Sequence, residues 1–129
     1  MAEITLLLEN IEMDRKMLED RVGELIDDRV EIVVADPGYM RVLNSRYRHI
    51  DRPTDVISFD LALREEDRPE GTIFVDGRLF PPMEELLERI FHGYLHLSGY
   101  SHDTDEDRED MSRMVDEMVS RAMKERGGT

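Results

Sequence analysis

The chain has 129 residues, which favours a single folded domain over residues 1–129, and its 40% apolar and 37% charged residues are typical of a globular protein. A formal charge of −14 disfavours general binding to nucleic acids, so any bound nucleic acid would need a local basic patch. No apolar run reaches membrane-spanning length, and the amino terminus lacks a basic start and a cleavage site. We therefore expect a cytoplasmic protein that has no membrane partner.

The first half of the sequence alternates between strand and helix patterns. Ile4–Leu8 is a short apolar run that predicts a strand, and the apolar spacing across Met13–Ile26 follows one face of a helix. The β-branched run Val30–Ala35 predicts a second strand. Asp36 and Pro37 then place a capping carboxylate and a proline where a second helix begins.

The second half predicts two strands followed by two helices. Thr54–Leu61 and Thr72–Val75 are β-prone, and their separation predicts an antiparallel pair. A helix is expected from about Met83 to Leu97 and another over about Asp105–Lys124, where methionines at helical spacing indicate core packing. The order β, α, β, α, β, β, α, α predicts an α+β fold with a small mixed four-stranded sheet packed with helices.

Three of the four histidines fall within the segment HGYLHLSGYSH. His92 and His96 are four residues apart, so on a helix both imidazoles can reach one ion. Gly99 can end that helix and let the chain bend so that His102 approaches the same ion. Three imidazoles leave one position for water, as in a catalytic zinc site, and the absence of cysteine excludes a closed thiolate site. We predict one Zn²⁺ on these three histidines in a zincin-like arrangement.

The residue after the first histidine distinguishes this segment from metalloprotease motifs. The metzincin proteases carry HExxHxxGxxH, in which the glutamate acts as general base. Gly93 occupies that position here and cannot transfer a proton, which disfavours peptide hydrolysis. Ser101, Asp103 and a water molecule all remain open as the general base, whereas His49 lies in a separate polar stretch and is not expected to be a ligand.

A basic segment precedes the third predicted strand. It contains Arg41, Arg46, Arg48, His49 and Arg52 within a chain that is otherwise acidic. Such a segment can be an ordinary solvated face or a functional patch. Phosphodiester cleavage at a metal ion needs a cation that holds the phosphate and offsets developing charge, and a guanidinium suits this task.

Two separate motifs resemble the YbeY family of bacterial rRNA maturation factors, which are metal-dependent endoribonucleases. The first is LNSRYRHIDRPTDVISF, Leu43–Phe59, and the second is LHLSGY with its flanking histidines. The resemblance implies zinc on His92, His96 and His102, and a catalytic role for Arg48. It also implies single-stranded RNA as substrate, a role at the 3′ end of small-subunit rRNA and in ribosome quality control, and the ribosome or ribosomal proteins as partners.

Three departures from the family pattern motivate an alternative function. Ser101 stands where the family carries aspartate, Thr72 replaces another aspartate, and the stretch GRLFPPMEELLER is shorter than usual. The alternative is a ribosome-associated metal-binding factor with weakened catalysis. A metal hydrolase that acts on another substrate, including peptides, is less favoured because of Gly93.

Overall fold

A computed structural model gives the structure of the chain. It describes residues 3–7, 15–23, 25–26, 29–61, 70–77, 83–100 and 103–124. The elements occur in the predicted order: β1 (Glu3–Leu6), α1 (Arg15–Val22), β2 (Val30–Ala35), α2 (Pro37–Arg48), β3 (Val56–Asp60), β4 (Gly71–Asp76), α3 (Met83–Leu97) and α4 (Asp105–Met123). None of the described helices combines the length and apolar character needed to cross a bilayer.

The four strands form one mixed sheet in the order β1-β2-β4-β3. Strands β1, β2 and β4 run parallel, whereas β3 pairs antiparallel with β4 in the register Val56↔Val75 to Asp60↔Gly71. The expected mixed four-stranded sheet and the antiparallel pairing of its last two strands are therefore confirmed. Strand β3 lies at one edge of the sheet, which leaves one side of its backbone available to neighbouring groups.

Helices cover both faces of the sheet. The larger core joins α1, α3 and α4 to one face and includes Ile32, Ile73 and Phe91, all fully buried. A smaller cluster under α2 covers the other face and contains Met40 and Ile57. Because neighbouring residues on a strand point to opposite faces, β3 presents Val56 to the α3 face and Ile57 to the α2 face.

The first helix is shorter than its apolar spacing predicts. Helix α1 ends at Val22 and not at Ile26, and the next residue is Gly23, whose helix propensity is low. The backbone N–H groups of Leu25 and Ile26 both donate to the carbonyl of Val22 in the turn that follows. Ile26 is still buried in the core, so the spacing identified a core position correctly but assigned it to the wrong element. Met13 and Leu8 lie outside the described residues.

Both ends of α2 follow from its sequence. The Asp36 carboxylate accepts a hydrogen bond from the Tyr39 backbone N–H at 2.8 Å, and Pro37 occupies the first turn, as predicted. At the other end His49 adopts a left-handed backbone with φ 59° and donates its N–H to the Asn44 carbonyl. His49 therefore caps the helix that carries Arg48.

Candidate active site

Helix α3, Met83–Leu97, carries the histidine pair. Glu84 and Glu85 lie in the first turn, where carboxylates oppose the positive end of the helix dipole. The helix ends at Leu97, and Gly99 beyond it has a left-handed φ of 97°. The N–H of Tyr100 donates to Leu95 at 3.0 Å and that of Gly99 to His96 at 3.1 Å, the two bonds of a Schellman motif. The predicted glycine bend after the histidine helix is therefore present.

The two histidines of α3 converge on a common point. Their Nε2 atoms lie 3.1 Å apart, and the ring centroids are separated by 4.8 Å with an angle of 73° between the planes. Zinc binds imidazole nitrogen at about 2.0–2.1 Å, so two nitrogens in a tetrahedral shell lie roughly 3.4 Å apart. The spacing of the His92 and His96 nitrogens therefore fits a shared divalent ion.

The remaining part of the predicted metal segment is not described. His102, the third predicted ligand, and Ser101 both lie outside the described residues. Within the described ranges, no group of three His, Cys, Asp or Glu side chains is arranged to hold a metal ion. Asp103 is described and exposed, immediately before the Thr104 cap of α4. The three-histidine site therefore stays a prediction, for which the described pair supplies two of the ligands.

Gly93 lies on the side of α3 that faces the sheet. A β-carbon at this position would come within 2.8 Å of Cγ2 of Ile73 and 3.2 Å of Cγ2 of Val56. The helix therefore approaches β3 and β4 too closely for a larger side chain. A glutamate here would point into the sheet. The glycine therefore allows the close packing of α3 on the sheet, in addition to having no group that can transfer a proton.

A cavity of about 770 Å³ lies beside His92 between α3, α4 and the beginning of β3. Its walls include His92, Arg89, Asp55, Val56, Glu85, Glu88, Arg108 and Asp116. Four of these side chains are carboxylates and two are guanidiniums, so the cavity is acidic on balance. A polyanion would meet repulsion if it entered from the α4 side.

Arg48 approaches the same region from the opposite face of the sheet. Its Nη2 lies 3.5 Å from the backbone carbonyl of Val56, which also accepts from Thr54 Oγ1 at 3.4 Å. Val56 lines the cavity with His92, and its side chain faces Gly93. The first residue of β3 thus links the exposed Arg48 to the histidine helix.

The two carboxylates that follow Arg48 in the sequence, Asp51 and Asp55, lie beside other arginines. Asp51 forms a two-pronged ion pair with Arg41 at 2.8 and 3.2 Å. Asp55 lies 3.9 Å from Nε of Arg89. In the part of the chain that is described, no carboxylate lies within ion-pair distance of Arg48. Its guanidinium therefore keeps donors available for a phosphate.

The Arg41–Asp51 pair changes the ionisation of both groups. Its hydrogen bonds, and then the charge attraction, lower the pKa of the Asp51 carboxyl and raise the pKa of Arg41. Both side chains are exposed, so solvent screens the pair and its contribution to stability is small. The pair spans the connection from α2 to β3, directly beside Arg48.

Two residues near the site were not identified from the sequence. Asn44 is only 3% exposed, and its Nδ2 donates to the Arg52 carbonyl at 2.9 Å, which ties α2 to the loop before β3. Arg89 has a side chain only 21% exposed, and its Nη1 donates to the Asp76 carbonyl at 2.9 Å. The position of Arg89, three residues before His92 on one helix face, was the available signal.

Comparison with known proteins places this chain in a family. The family described as Endoribonuclease YbeY matches residues 3–123. A protein named Endoribonuclease YbeY from Desulforamulus reducens is 33% identical over 133 residues, covering 89% of this chain and 86% of the relative. Another of that name from Acholeplasma laidlawii is 35% identical over 102 residues, covering 72% of this chain and 74% of the relative.

A solved structure agrees with the fold. The solution structure of TM1509 from Thermotoga maritima has a TM-score of 0.61 at 26% identity and covers 100% of this chain and 99% of that chain. The match over residues 3–123 contains both the Arg48 segment and the histidine helix. The resemblance seen in the two motifs is confirmed, and the chain belongs to the Endoribonuclease YbeY family of RNA-cleaving hydrolases.

Proposed function

We propose that this chain is a zinc-dependent, single-strand-specific endoribonuclease of the cytoplasm, formed by one domain over residues 1–129. Its proposed task is rRNA processing at the 3′ end of the small-subunit rRNA, together with ribosome quality control and contact with the ribosome. The observation that carries the proposal is the convergence of the His92 and His96 Nε2 atoms at 3.1 Å beside a cavity. Membership of an endoribonuclease family supports RNA as the substrate.

His92, His96 and His102 are the residues that would hold the ion. When bound, zinc supplies Lewis acidity, which makes water more acidic and withdraws charge from a phosphoryl oxygen. The described pair fits this task because helix α3 is packed tightly on the sheet at Gly93 and is closed by the Schellman motif at Gly99. Rigid elements hold ligands in the geometry that the ion requires.

Arg48 would bind the phosphate at the bond that is cut. Its weak contact with the Val56 carbonyl, at 3.5 Å, orients the guanidinium towards the beginning of β3 and leaves other N–H donors available. A guanidinium can donate two parallel hydrogen bonds to a phosphate and offset the charge that develops in the transition state. Arg48 would thereby fix the RNA backbone relative to the histidine helix.

The test measures metal content and cleavage on the same preparations. Wild type, His96→Ala, Arg48→Ala and Arg15→Ala are purified, and each is assayed on a labelled single-stranded fragment of small-subunit rRNA. Arg15 is the matched control because it is an exposed arginine whose contact is with Glu19 on the same helix. We expect His96→Ala to lose both metal and cleavage. Arg48→Ala should keep the metal but lose about 10²–10³-fold in rate, as is typical when one group that stabilises transition-state charge is removed.

The alternative function predicts a different result. If wild type retains one metal ion per chain but cuts RNA no faster than His96→Ala and Arg48→Ala, the chain is a metal-binding factor with weakened catalysis. Ser101→Asp restores the family residue, and we expect it to raise cleavage modestly. If wild type retains no metal, the zinc proposal fails.

A further inference from the structure

Four aromatic rings form a continuous row on the α2 side of the sheet. Tyr39 stacks on Phe74 with ring centroids 6.0 Å apart, Phe74 meets Phe59 edge-on at 5.6 Å, and Phe59 meets Tyr47 edge-on at 4.8 Å. The two phenylalanines come from β4 and β3, and the two tyrosines from the first and last turns of α2. We call these four residues the aromatic row.

The outer rings of the aromatic row are open to solvent. Tyr39 is 42% exposed and Tyr47 is 61% exposed, while the two phenylalanines are partly buried against the small core under α2. Val42 of α2 and Ile50, two residues after α2, are further exposed apolar side chains of the same segment. The packing of α2 on the sheet explains why the two phenylalanines are partly buried, but it does not explain why the two tyrosines are exposed. Large exposed apolar groups that lie together in this way mark a binding surface.

The Tyr47 end of the aromatic row is rich in arginine, whereas the Asp36 carboxylate lies at the Tyr39 end. Arg46 and Arg48 flank Tyr47 in the sequence, and Arg52 lies in the loop that Asn44 ties to α2. All three are exposed, and none forms an ion pair with a described residue. The cavity on the α3 side holds four carboxylates against two arginines, and α4 begins with Asp105, Glu106 and Asp107. In a chain of charge −14, the α2 side is therefore the favourable approach for a polyanion.

We propose that the aromatic row and these three arginines bind single-stranded RNA beside the cleavage site, with bases stacked on Tyr39 and Tyr47. This inference rests on the proposed function, because it assigns part of the substrate path for the same site. Eight residues separate the two tyrosines, a distance of about 12 Å along the helix axis, or three to four stacked nucleotides. Base stacking on aromatic rings beside a basic surface is how proteins bind single strands regardless of sequence.

The position of Tyr47 connects this surface to the active site. Tyr47 is adjacent to Arg48 in α2, and its ring contacts Phe59 of β3, the strand whose first residue lines the cavity with His92. An RNA backbone held by Arg48 could therefore continue along α2 without entering the acidic cavity. A protein partner would have to match both the rings and the three exposed arginines, whereas RNA supplies bases and phosphates together.

The test measures binding separately from cleavage. A fluorescent single-stranded RNA of about ten nucleotides is titrated with the protein by anisotropy at several salt concentrations, and gels verify that the RNA is intact. We expect Tyr47→Leu and Tyr39→Leu each to weaken binding about ten-fold, because one stacked base is lost. Tyr47→Phe, which keeps the flat ring, should bind like wild type.

The arginines give a second readout and the folding controls. Arg46→Gln should reduce the slope of log affinity against log salt by about 0.7, as expected for one lost phosphate contact on a single strand. Arg15→Gln on α1 and Leu7→Ala, one residue after β1, are matched controls that should leave RNA binding unchanged, since both positions are exposed and distant from α2 in the sequence. Thermal unfolding of every variant verifies that it is folded.

The outcomes separate this inference from the proposed function. If folded Tyr39→Leu and Tyr47→Leu bind RNA as tightly as wild type, the inference is overturned, and a protein becomes the expected partner of this surface. This conclusion holds whether or not wild type cleaves RNA. If both variants bind weakly while wild type binds tightly but cuts nothing, the RNA surface stands and the proposed catalysis fails.

Discussion

A β-carbon placed on Gly93 would lie only 2.8 Å from Cγ2 of Ile73, a separation that real β-carbons essentially never show. Ile73 is fully buried in β4, and Cγ2 of Val56 on β3 would lie 3.2 Å from the same β-carbon. The histidine helix is therefore fixed against the sheet at the residue next to His92. The height of the histidine pair above β3 depends on this close approach.

Gly93→Ala should lower the free energy of unfolding by about 1–2 kcal/mol. Overpacking a well-packed core costs roughly 1–3 kcal/mol, and the better helix propensity of alanine offsets part of that cost. Because the helix must move away from the sheet, metal affinity should fall as well. Urea unfolding and zinc titration measure the two effects.

A double-mutant cycle with Ile73→Ala identifies the cause of the Gly93 effect. Ile73→Ala removes the methyl group that would clash, although it is itself destabilising by roughly 2–5 kcal/mol. In that background Gly93→Ala should cost less than in wild type, because the two positions are in contact. Equal costs in both backgrounds would show that the clash with Ile73 is not the source.

Gly99→Ala should also be destabilising, but for a different reason. A β-carbon at Gly99 would meet no atom of the described residues within 4 Å, so these residues leave space for alanine. The cost arises from the backbone, because φ at Gly99 is 97°, a conformation that alanine adopts at about 1–2 kcal/mol. Gly99→Asn should cost less, since asparagine tolerates left-handed conformations better. Thermal unfolding of the two variants tests this order, and a milder effect for alanine than for asparagine would contradict it.

Much of the fold could be predicted because the signals were local. The Asp36–Pro37 start of α2 and the Gly99 end of α3 each depend on one or two residues whose backbone preferences are strong. The helical spacing of His92 and His96 likewise brings their Nε2 atoms together without help from distant residues. The antiparallel pairing of β3 and β4 followed from their short separation in sequence.

The features that could not be predicted depend on contacts between distant segments. Gly93 was interpreted only as the absence of a base, because nothing in the sequence shows that Ile73 lies 2.8 Å from its β-carbon position. Arg89 was missed since its partners, Asp76 and Asp55, belong to the ends of two paired strands. The end of α1 at Val22 was misplaced because the apolar spacing continues into a turn that still packs in the core.

Asn44→Ala should destabilise the chain and reduce the rate of RNA cleavage together. Asn44 is buried, and its Nδ2 donates to the Arg52 carbonyl at 2.9 Å. The backbone carbonyl of Asn44 accepts the N–H groups of His49 and Ile50. Alanine would leave the Arg52 carbonyl without this donor, at a cost of about 1–3 kcal/mol. The loop that follows Arg48 would also lose its anchor.

The matched control for Asn44 is Ser45→Ala on the next, exposed position of α2, which should leave stability and cleavage unchanged. Chemical denaturation gives the stability, and initial rates on single-stranded RNA give the activity. If Asn44→Ala were as stable as wild type and equally active, the hydrogen bond to Arg52 would not be what orders this loop.

Asp51→Asn should lower stability slightly at neutral pH, and the difference from wild type should disappear in acid. The hydrogen bonds and charge of Arg41 hold the pKa of the Asp51 carboxyl below its ordinary value in the folded chain. A carboxyl with a depressed folded pKa contributes stability above its unfolded pKa, about 3.9, and loses it as pH falls through the folded pKa. The difference between wild type and variant should therefore be constant from neutral pH to about pH 5 and decline below about pH 4.

Urea unfolding at a series of pH values measures this difference in stability. Arg41→Gln with and without Asp51→Asn isolates the coupling energy between the two side chains. Because the pair is exposed, high salt should shrink the same difference at pH 7. A difference that persists undiminished at the lowest pH at which the chain remains folded would contradict the assignment of this pair.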